Sequence, residues 1–215
     1  MGQQLRNFEL RALPLRAASR QFGWAVLLAD VTARSRLLRD LRRDAQTDEL
    51  TGVANRRAFI AAIEIEFERS LRHHSTFCVL IVDLDHFKSI NDGCGHVAGD
   101  RVLAQVASRT LSCLRRIDLL SRYGGDEFAI LLPETEAEHA LEIAERIRRI
   151  VAETAVDVGE NTITPSASIG LAVYDAARHA DWLQMLDEAD QALYRVKADG
   201  RNSVALWSEN SSQGA

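Results

Sequence analysis

Two carboxylates follow a pair of glycines in the middle of the chain. Residues 122 to 128 read Arg-Tyr-Gly-Gly-Asp-Glu-Phe and stand between the apolar segments 119–120 and 128–132. Paired glycines favour a two-residue hairpin turn because its central positions need positive φ, and they let a phosphate or a base approach the backbone. Asp126 and Glu127 would then lie at the tip of a ligand-binding hairpin. An ordinary surface hairpin with two solvated acids is the alternative, and this stretch alone does not separate the two.

A second acidic segment follows the apolar run 78–82. Asp83 and Asp85 are two residues apart, so on an extended backbone both side chains point to the same face. Mg²⁺ prefers oxygen ligands and keeps several waters, so we expect one carboxylate from each of two adjacent strand ends, together with phosphate oxygens. We assign Asp83 and Asp126 to the metal, and Asp85 to the N-cap of a helix that begins at His86.

Lysine is used sparingly in this chain. Lys and Arg together number 26, yet lysine occurs only at Lys88 and Lys197. Lys88 lies on the first turn of the helix that follows Asp85, where free backbone N–H groups attract anions. The metal, the helix start and Lys88 together predict a cradle for a triphosphate.

Length and composition place limits on the class of protein. A chain of 215 residues with 47% hydrophobic residues can bury one substantial domain and a smaller appendage. The formal charge of −5 argues against nucleic acid as the main partner. Three distant cysteines without metal-ligand spacing indicate structural free thiols and a cytoplasmic location. No apolar run is long enough for a bilayer, so we expect no membrane contact.

The hydrophobic pattern predicts alternating helices and strands, and therefore an α/β (α+β) fold in which helices flank a mixed central sheet. Two strand-like segments come first, near 8–15 and 22–31. The later helices are predicted at 56–73, 86–91, 97–115, 136–153 and 180–198, and the later strands, besides the hairpin, at 77–84, 162–173 and 203–207.

Residues 33–46 have apolar positions at helical spacing among arginines and acids. This pattern is typical of a short coiled-coil stalk, although a single amphipathic helix packed on its own domain explains it equally well. Residues 209–215 are polar and are expected to be a disordered tail.

Five motifs in order resemble the GGDEF family of diguanylate cyclases, over about residues 47–208. Thr47 to Arg57 resembles the entry motif TDxLTGLxNRR, with Val53 in place of Leu, and two stretches, from Asp83 to Lys88 and from Ile90 to Asp100, resemble the metal-binding and guanine-binding region. The hairpin is the intact signature, and Lys197 to Asn202 resembles the closing KxxGRN motif. Agreement of so many motifs in the same order is highly specific.

The resemblance implies a ferredoxin-like palm nucleotidyl cyclase fold and the conversion of two GTP into cyclic di-GMP and two pyrophosphates. It implies two Mg²⁺ ions per site, with Mn²⁺ as an alternative, held by Asp83, the Leu84 carbonyl and Asp126. Asp126, Glu127 and a water are all candidates for the group that accepts the proton. The residues implied for the reaction are Asp83, Asp126 and Glu127, and those implied for binding GTP are Asn91 and Asp100 at the guanine, with Phe87, Lys88, Gly124, Gly125, Lys197 and Arg201.

One site holds one GTP, so ring closure requires two protomers that face each other around a two-fold axis. The helix at 33–46 is suited to enforcing this homodimer. The resemblance also implies an inhibitory site for cyclic di-GMP at Arg115 and Asp118, with Arg146 as its secondary arginine. A polar helix end at 115–118 and a solvated helix face at Arg146 are the plainer explanations.

Residues 1–32 resemble the last strands of a PAS sensory domain, so we interpret them as a remnant of such a domain. The leading interpretation of the whole chain is an active cyclase. The alternative is a catalytically silent receptor for cyclic di-GMP that acts through a partner protein.

Overall fold

The computed structural model describes residues 6–17, 20–34, 46–153, 155–159 and 162–209. The chain divides into two units, Met1–Ala45 and Gln46–Ala215. The stalk predicted at 33–46 falls largely on residues 35–45, and the predicted tail largely on 210–215, both of which lie outside the described residues.

The first unit contains an antiparallel hairpin of β1 (Phe8–Ala17) and β2 (Arg20–Asp30), which confirms the two predicted strands. Its large apolar side chains are exposed, with Leu10 at 64% and Val26 at 63%. A two-stranded hairpin of this kind is marginally stable on its own.

The second unit alternates helices with strands, as the hydrophobic pattern predicts. Its elements are β3 (Ala54–Asn55), α1 (Arg56–His73), β4 (Phe77–Leu84), α2 (Phe87–Cys94), α3 (His96–Ser112), β5 (Leu119–Arg122), β6 (Glu127–Pro133), α4 (Ala137–Ala152), β7 (Val156–Asp157), β8 (Thr162–Ile163), β9 (Ala167–Val173), α5 (Trp182–Ala198) and β10 (Val204–Leu206).

Six strands of this unit form one sheet in the order β10-β9-β4-β6-β5-β3. The four central strands pair antiparallel, and the edge strands β10 and β3 pair parallel to their neighbours. Helices connect β4 to β5 and β6 to β9, so the centre has the β-α-β-β-α-β order of a ferredoxin-like fold. The predicted mixed sheet with flanking helices is confirmed.

Two hydrophobic cores cover the two faces of the sheet. Helices α3 and α4 pack on one face, and α1 and α5 pack on the other. Strand β4 is buried along its whole length, with Leu80 and Val82 in the first core and Val79 and Ile81 in the second. Because side chains alternate along a strand, Asp83 continues the row that faces α1 and α5. Across the described residues, no helix combines the length and apolar character needed to cross a bilayer.

Three predictions about local structure are wrong. The strand expected at 162–173 is two pieces, β8 and β9, interrupted near Pro165, which has no N–H for a sheet hydrogen bond. Helix α2 begins at Phe87, and its N-cap is His86 with φ 56° and no side-chain cap, so Asp85 does not cap it. Cys94 is exposed, unlike the buried Cys78 and Cys113, and so does not support the core.

Candidate nucleotide-binding site

The glycine pair does not form the two-residue turn that its sequence predicts. Strand β5 ends at Arg122 and β6 begins at Glu127, and neither Gly124 nor Gly125 has φ in the left-handed region. The absence of side chains at these glycines instead allows close packing of the turn. A Cβ at Gly124 would lie 2.8 Å from Oε2 of Glu127, whereas a Cβ at Gly125 would meet open space. The turn therefore folds closely over Glu127 and leaves its outer side accessible.

Three acids converge where β4 meets this turn. Asp83 lies directly opposite Glu127 in the antiparallel pairing of β4 with β6. The backbone N–H of Leu84 donates to the carbonyl oxygen of Asp126 at 3.3 Å. The fold thus brings Asp83, Asp126 and Glu127 to one edge of the sheet, as the sequence predicts.

Lys197 of α5 is the cation that forms an ion pair with this cluster. Its Nζ lies 2.8 Å from Oδ2 of Asp83, whose side chain is 12% exposed. Burial raises the pKa of Asp83, and the charges of Asp126 and Glu127 raise it further, although Lys197 acts in the opposite direction. Asp83 is thus a buried carboxylate among like charges, and a bound divalent cation would reduce the repulsion between them.

The oxygen donors of this cluster fit a magnesium ion that also binds waters and phosphates. They fit less well a metal that is held by protein side chains alone. Within the part of the chain that the structure describes, no cluster of three or more Asp, Glu, His or Cys side chains forms a ready-made cage. Mg²⁺ is usually held by one or two carboxylates together with waters and substrate phosphates. Asp83 and Asp126, with the Leu84 carbonyl, would supply the protein oxygens of such a site.

Two adjoining clefts open beside the acids. The first, of about 300 Å³, is lined by Asp83, Leu84, His86, Phe87, Lys88, Ser89, Asp126, Lys197 and Arg201. The second, of about 480 Å³, is lined by Phe87, Lys88, Asn91, Asp92, His96, Asp100, Leu103, Arg122, Gly125 and Asp126. Because Phe87, Lys88 and Asp126 line both clefts, one extended ligand can occupy the two together.

The clefts contain most of the residues predicted for GTP. Gly124 lies in the turn between β5 and β6, Glu127 is the first residue of β6, and neither lines either cleft. Six further residues line the clefts without having been assigned an individual role from the sequence, namely His86, Ser89, Asp92, His96, Leu103 and Arg122. Three of them, His86, Ser89 and Asp92, are adjacent in sequence to the predicted residues Phe87, Lys88 and Asn91. This adjacency could have indicated them.

Asn91 lines the second cleft, and its side chain fits there because Gly99 has no Cβ. A Cβ at Gly99 would lie 2.0 Å from Oδ1 of Asn91 and 3.1 Å from Cζ of Phe87. Gly99 of α3 is buried and therefore leaves the space that the Asn91 amide occupies.

Arg122 has a structural role that sequence reasoning did not assign. Its Nε and Nη2 donate to the carbonyl oxygen of Gly125 at 3.1 and 2.8 Å, and its Nη1 donates to the Asp48 carboxylate at 3.3 Å. Asp48 also accepts hydrogen bonds from the backbone N–H and hydroxyl of Thr51. Burial acts to raise the pKa of Asp48, but the contacts with Thr51 and Arg122 outweigh it and the pKa is lowered. Arg122 therefore connects the segment from Thr47 to Arg57 with the glycine turn.

The residues predicted for an inhibitory site lie away from the acids. Arg115 forms an ion pair with Asp118 at 2.9 Å, and its side chain is 49% exposed whereas that of Asp118 is fully covered. Arg115 also donates to the Thr135 hydroxyl at 2.6 Å. Arg146 of α4 donates to the carbonyl oxygen of Cys113 at 2.6 Å. The fold thus places Arg146 next to the segment that leads to Arg115.

The chain is similar to known proteins over most of its length. The family model described as diguanylate cyclase, GGDEF domain, matches residues 45–203. Diguanylate cyclase DgcM of Escherichia coli is 39% identical over 178 residues, which are 83% of this chain and 42% of that protein. Diguanylate cyclase DgcP of Pseudomonas aeruginosa is 36% identical over 169 residues, which are 79% of this chain and 25% of that protein. The chain spans less than half the length of these curated relatives.

A solved structure is matched over a larger share of its own length. The coiled coil and GGDEF domain of DgcB from Caulobacter crescentus, in complex with c-di-GMP, superposes with a TM-score of 0.77 at 32% identity. The match covers 82% of this chain and 93% of that one. The second unit is thus a domain with a ferredoxin-like sheet whose acidic edge opens onto two joined clefts. With the family match over residues 45–203, this chain belongs to the GGDEF diguanylate cyclase domain family.

Proposed function

We propose that the second unit is a diguanylate cyclase that condenses two GTP into cyclic di-GMP with release of two pyrophosphates. One observation carries this proposal. The cleft lined by Asn91 and Asp100 and the cleft lined by Asp83, Lys197 and Arg201 share a common wall, so a base and a triphosphate can bind at once.

Asn91 and Asp100 supply the selectivity for guanine. A carboxylate accepts hydrogen bonds from the ring N–H and the amino group of guanine, and adenine does not present that pattern of donors. Asp100 is exposed in the cleft, whereas Asn91 is partly buried in the position that Gly99 leaves open. The base is therefore read by one exposed acid and one fixed amide.

Lys88, Lys197 and Arg201 neutralise the triphosphate, and Phe87 forms the wall between base and phosphates. Mg²⁺, or Mn²⁺ in its place, held by Asp83, Asp126 and the Leu84 carbonyl, would activate the 3′-hydroxyl and stabilise the leaving pyrophosphate in a two-metal reaction. Lys197 then exchanges its contact with Asp83 for phosphate oxygens. Glu127, opposite Asp83, adds negative charge that favours cation binding.

The reaction requires a homodimer because each site holds one GTP and each ring closure joins two. Two protomers face each other about a two-fold axis, and the segment 33–46 acts as the coiled-coil stalk that pairs them. We further propose that residues 1–32 belong to a PAS-like unit, a proposal supported by a hairpin whose apolar side chains are exposed. We place the reaction in the cytoplasm, where free thiols such as those of this chain persist.

Cyclic di-GMP inhibits the enzyme at Arg115, Asp118 and Arg146. An arginine can donate to guanine O6 and N7 together, and the half-exposed Arg115 side chain is accessible for that contact. Arg115→Ala should relieve product inhibition while leaving the initial rate unchanged. Inhibition of the variant at the same product concentration as wild type would rule out this site.

Incubation of the purified chain with GTP and Mg²⁺ tests the proposed activity directly. We expect cyclic di-GMP and two equivalents of pyrophosphate, and we expect Asp126→Ala to lower turnover by at least about a thousandfold, since it removes a metal ligand. Asp126→Ala should still bind cyclic di-GMP. Binding of cyclic di-GMP by a folded, dimeric wild type that makes no product would instead establish the silent receptor.

A further inference from the structure

Asp85 lies just beyond β4, next to the predicted metal-binding strand end, and is 5% exposed. Its Oδ1 accepts a hydrogen bond from the Ser168 hydroxyl at 2.6 Å. Its Oδ2 accepts two, from the Ser166 hydroxyl at 2.7 Å and from the backbone N–H of Asn202 at 3.1 Å. This one carboxylate therefore joins the end of β4, the start of β9 and the turn after α5.

The turn that Asp85 holds has an unfavourable backbone conformation. Gly200, Arg201 and Asn202 are consecutive and have φ of 108°, 66° and 45°. Left-handed conformations are disfavoured for residues with a Cβ, and they persist where the surroundings hold them in place. Asn202 is held on its side chain as well, because Arg148 donates to its Oδ1 at 3.1 Å.

Arg201 in this turn lines the same cleft as Asp83 and Lys197. Hydrogen bonds to an ionised acceptor are roughly twice as strong as neutral ones. A buried carboxylate that accepts the Asn202 N–H is thus well suited to keep the left-handed turn closed and Arg201 in the cleft.

We propose that Asp85 is a positioning residue for phosphate binding, which it supports by holding the turn that carries Arg201. The role rests on the proposed function, because it requires a nucleoside triphosphate in this cleft. Asp85 follows Asp83 and Leu84 in the chain, so it keeps the metal-binding strand end and the phosphate-binding arginine in one fixed frame.

Equilibrium binding of two probes tests this role. The first is 3′-deoxy-GTP with Mg²⁺, which lacks the attacking hydroxyl and cannot cyclise, and the second is 3′-deoxyguanosine, which lacks the phosphates. We expect Asp85→Ala to weaken binding of the triphosphate roughly tenfold and binding of the nucleoside by less than about twofold, because only the triphosphate reaches Arg201.

A double-mutant cycle separates positioning from general damage. If Asp85 acts through Arg201, then Asp85→Ala should cause little further loss of triphosphate affinity in an Arg201→Ala background. Asp85→Asn should restore most of the affinity, since its amide oxygen can accept from the Asn202 N–H while its amino group donates to Ser168.

Ser168→Ala is the matched control, because it removes a hydrogen bond to Oδ1 and leaves the contact of Oδ2 with Asn202. It should lower the melting temperature without changing the ratio of the two affinities. Should Asp85→Ala be too unstable at the assay temperature, Asp85→Ser provides the same comparison with a shorter polar side chain.

Equal losses for the two probes, additive effects in the cycle, or the same change of ratio in Ser168→Ala would each overturn the positioning role. Failure of the wild type to bind 3′-deoxy-GTP would instead overturn the proposed function, and the role of Asp85 with it.

Discussion

At the scale of single residues, the surroundings of Asp83 disfavour its ionised form. Burial raises its pKa, and the charges of Asp126 and Glu127 add to the effect. The folded chain therefore binds a proton at Asp83 more readily than the unfolded chain, in which the pKa of this carboxyl is near 3.8. The free energy of unfolding then falls as pH rises from that value through the raised pKa of the folded state.

We accordingly predict that Asp83→Asn increases the free energy of unfolding at neutral pH without Mg²⁺, although it removes the ion pair with Lys197. The variant should lose turnover by at least about a thousandfold, because a metal ligand is gone. Stability and activity would thus change in opposite directions, as is common at functional sites. Urea unfolding over a range of pH is the measurement. A variant less stable than wild type at neutral pH would show that Lys197 outweighs burial.

Gly99 is a second single residue with a specific expected effect. An added methyl group would lie 2.0 Å from Oδ1 of Asn91, so Gly99→Ala must displace that amide from the cleft. We predict that KM for GTP rises about tenfold, with a smaller change in kcat, because one base contact is lost.

Gly93→Ala is the matched control for this prediction. Gly93 lies in helix α2, and a Cβ at this position would have no atom within 4 Å, so an added methyl group should be neutral or slightly stabilising. Steady-state kinetics of the two variants decides the matter. An unchanged KM in Gly99→Ala would show that Asn91 does not contact the substrate.

At the scale of elements, the close approach of α5 to β9 determines where Lys197 lies. A Cβ at Gly170 of β9 would come within 2.0 Å of the carbonyl oxygen of Ala189 and 2.4 Å of the amide nitrogen of Leu193. Both are backbone atoms of α5, so no change of rotamer can make room. The helix must move away from the sheet to accept any larger residue.

We therefore predict that Gly170→Ala costs about 1–3 kcal/mol in the free energy of unfolding, as overpacked cores do. It should also raise KM for GTP, since moving α5 displaces Lys197 from the phosphates. Chemical denaturation and kinetics on the same preparation measure both effects. A destabilised variant with unaltered KM would show that the position of Lys197 does not depend on this contact.

At the scale of the whole molecule, the second unit has two hydrophobic cores of its own and includes the whole site. A chain that starts at Gln46 should therefore fold. If the segment 33–46 pairs the protomers, that shorter chain should need a much higher protein concentration for the same specific activity. The cause is mass action, because an active site formed by two protomers is lost on dilution.

Specific activity measured across a dilution series, for both chains, tests this prediction. The melting temperature of the second unit is the control and should be similar in the two. Specific activity that does not vary with concentration in either chain would contradict a reaction between two protomers.

The sequence alone predicted the positions of most helices and strands, and it placed Asp83 at the end of one strand and Asp126 just before another. These features depend on neighbours two to four residues apart, so periodicity and motif spacing are enough to predict them. Only the tertiary structure showed that Arg122 reaches Asp48, 74 positions away, and that Asp85 holds Asn202, 117 positions away. It also replaced the expected glycine turn with one shaped by Glu127. Such contacts depend on how β4, β6, β9 and α5 pack together, and no local pattern records that packing.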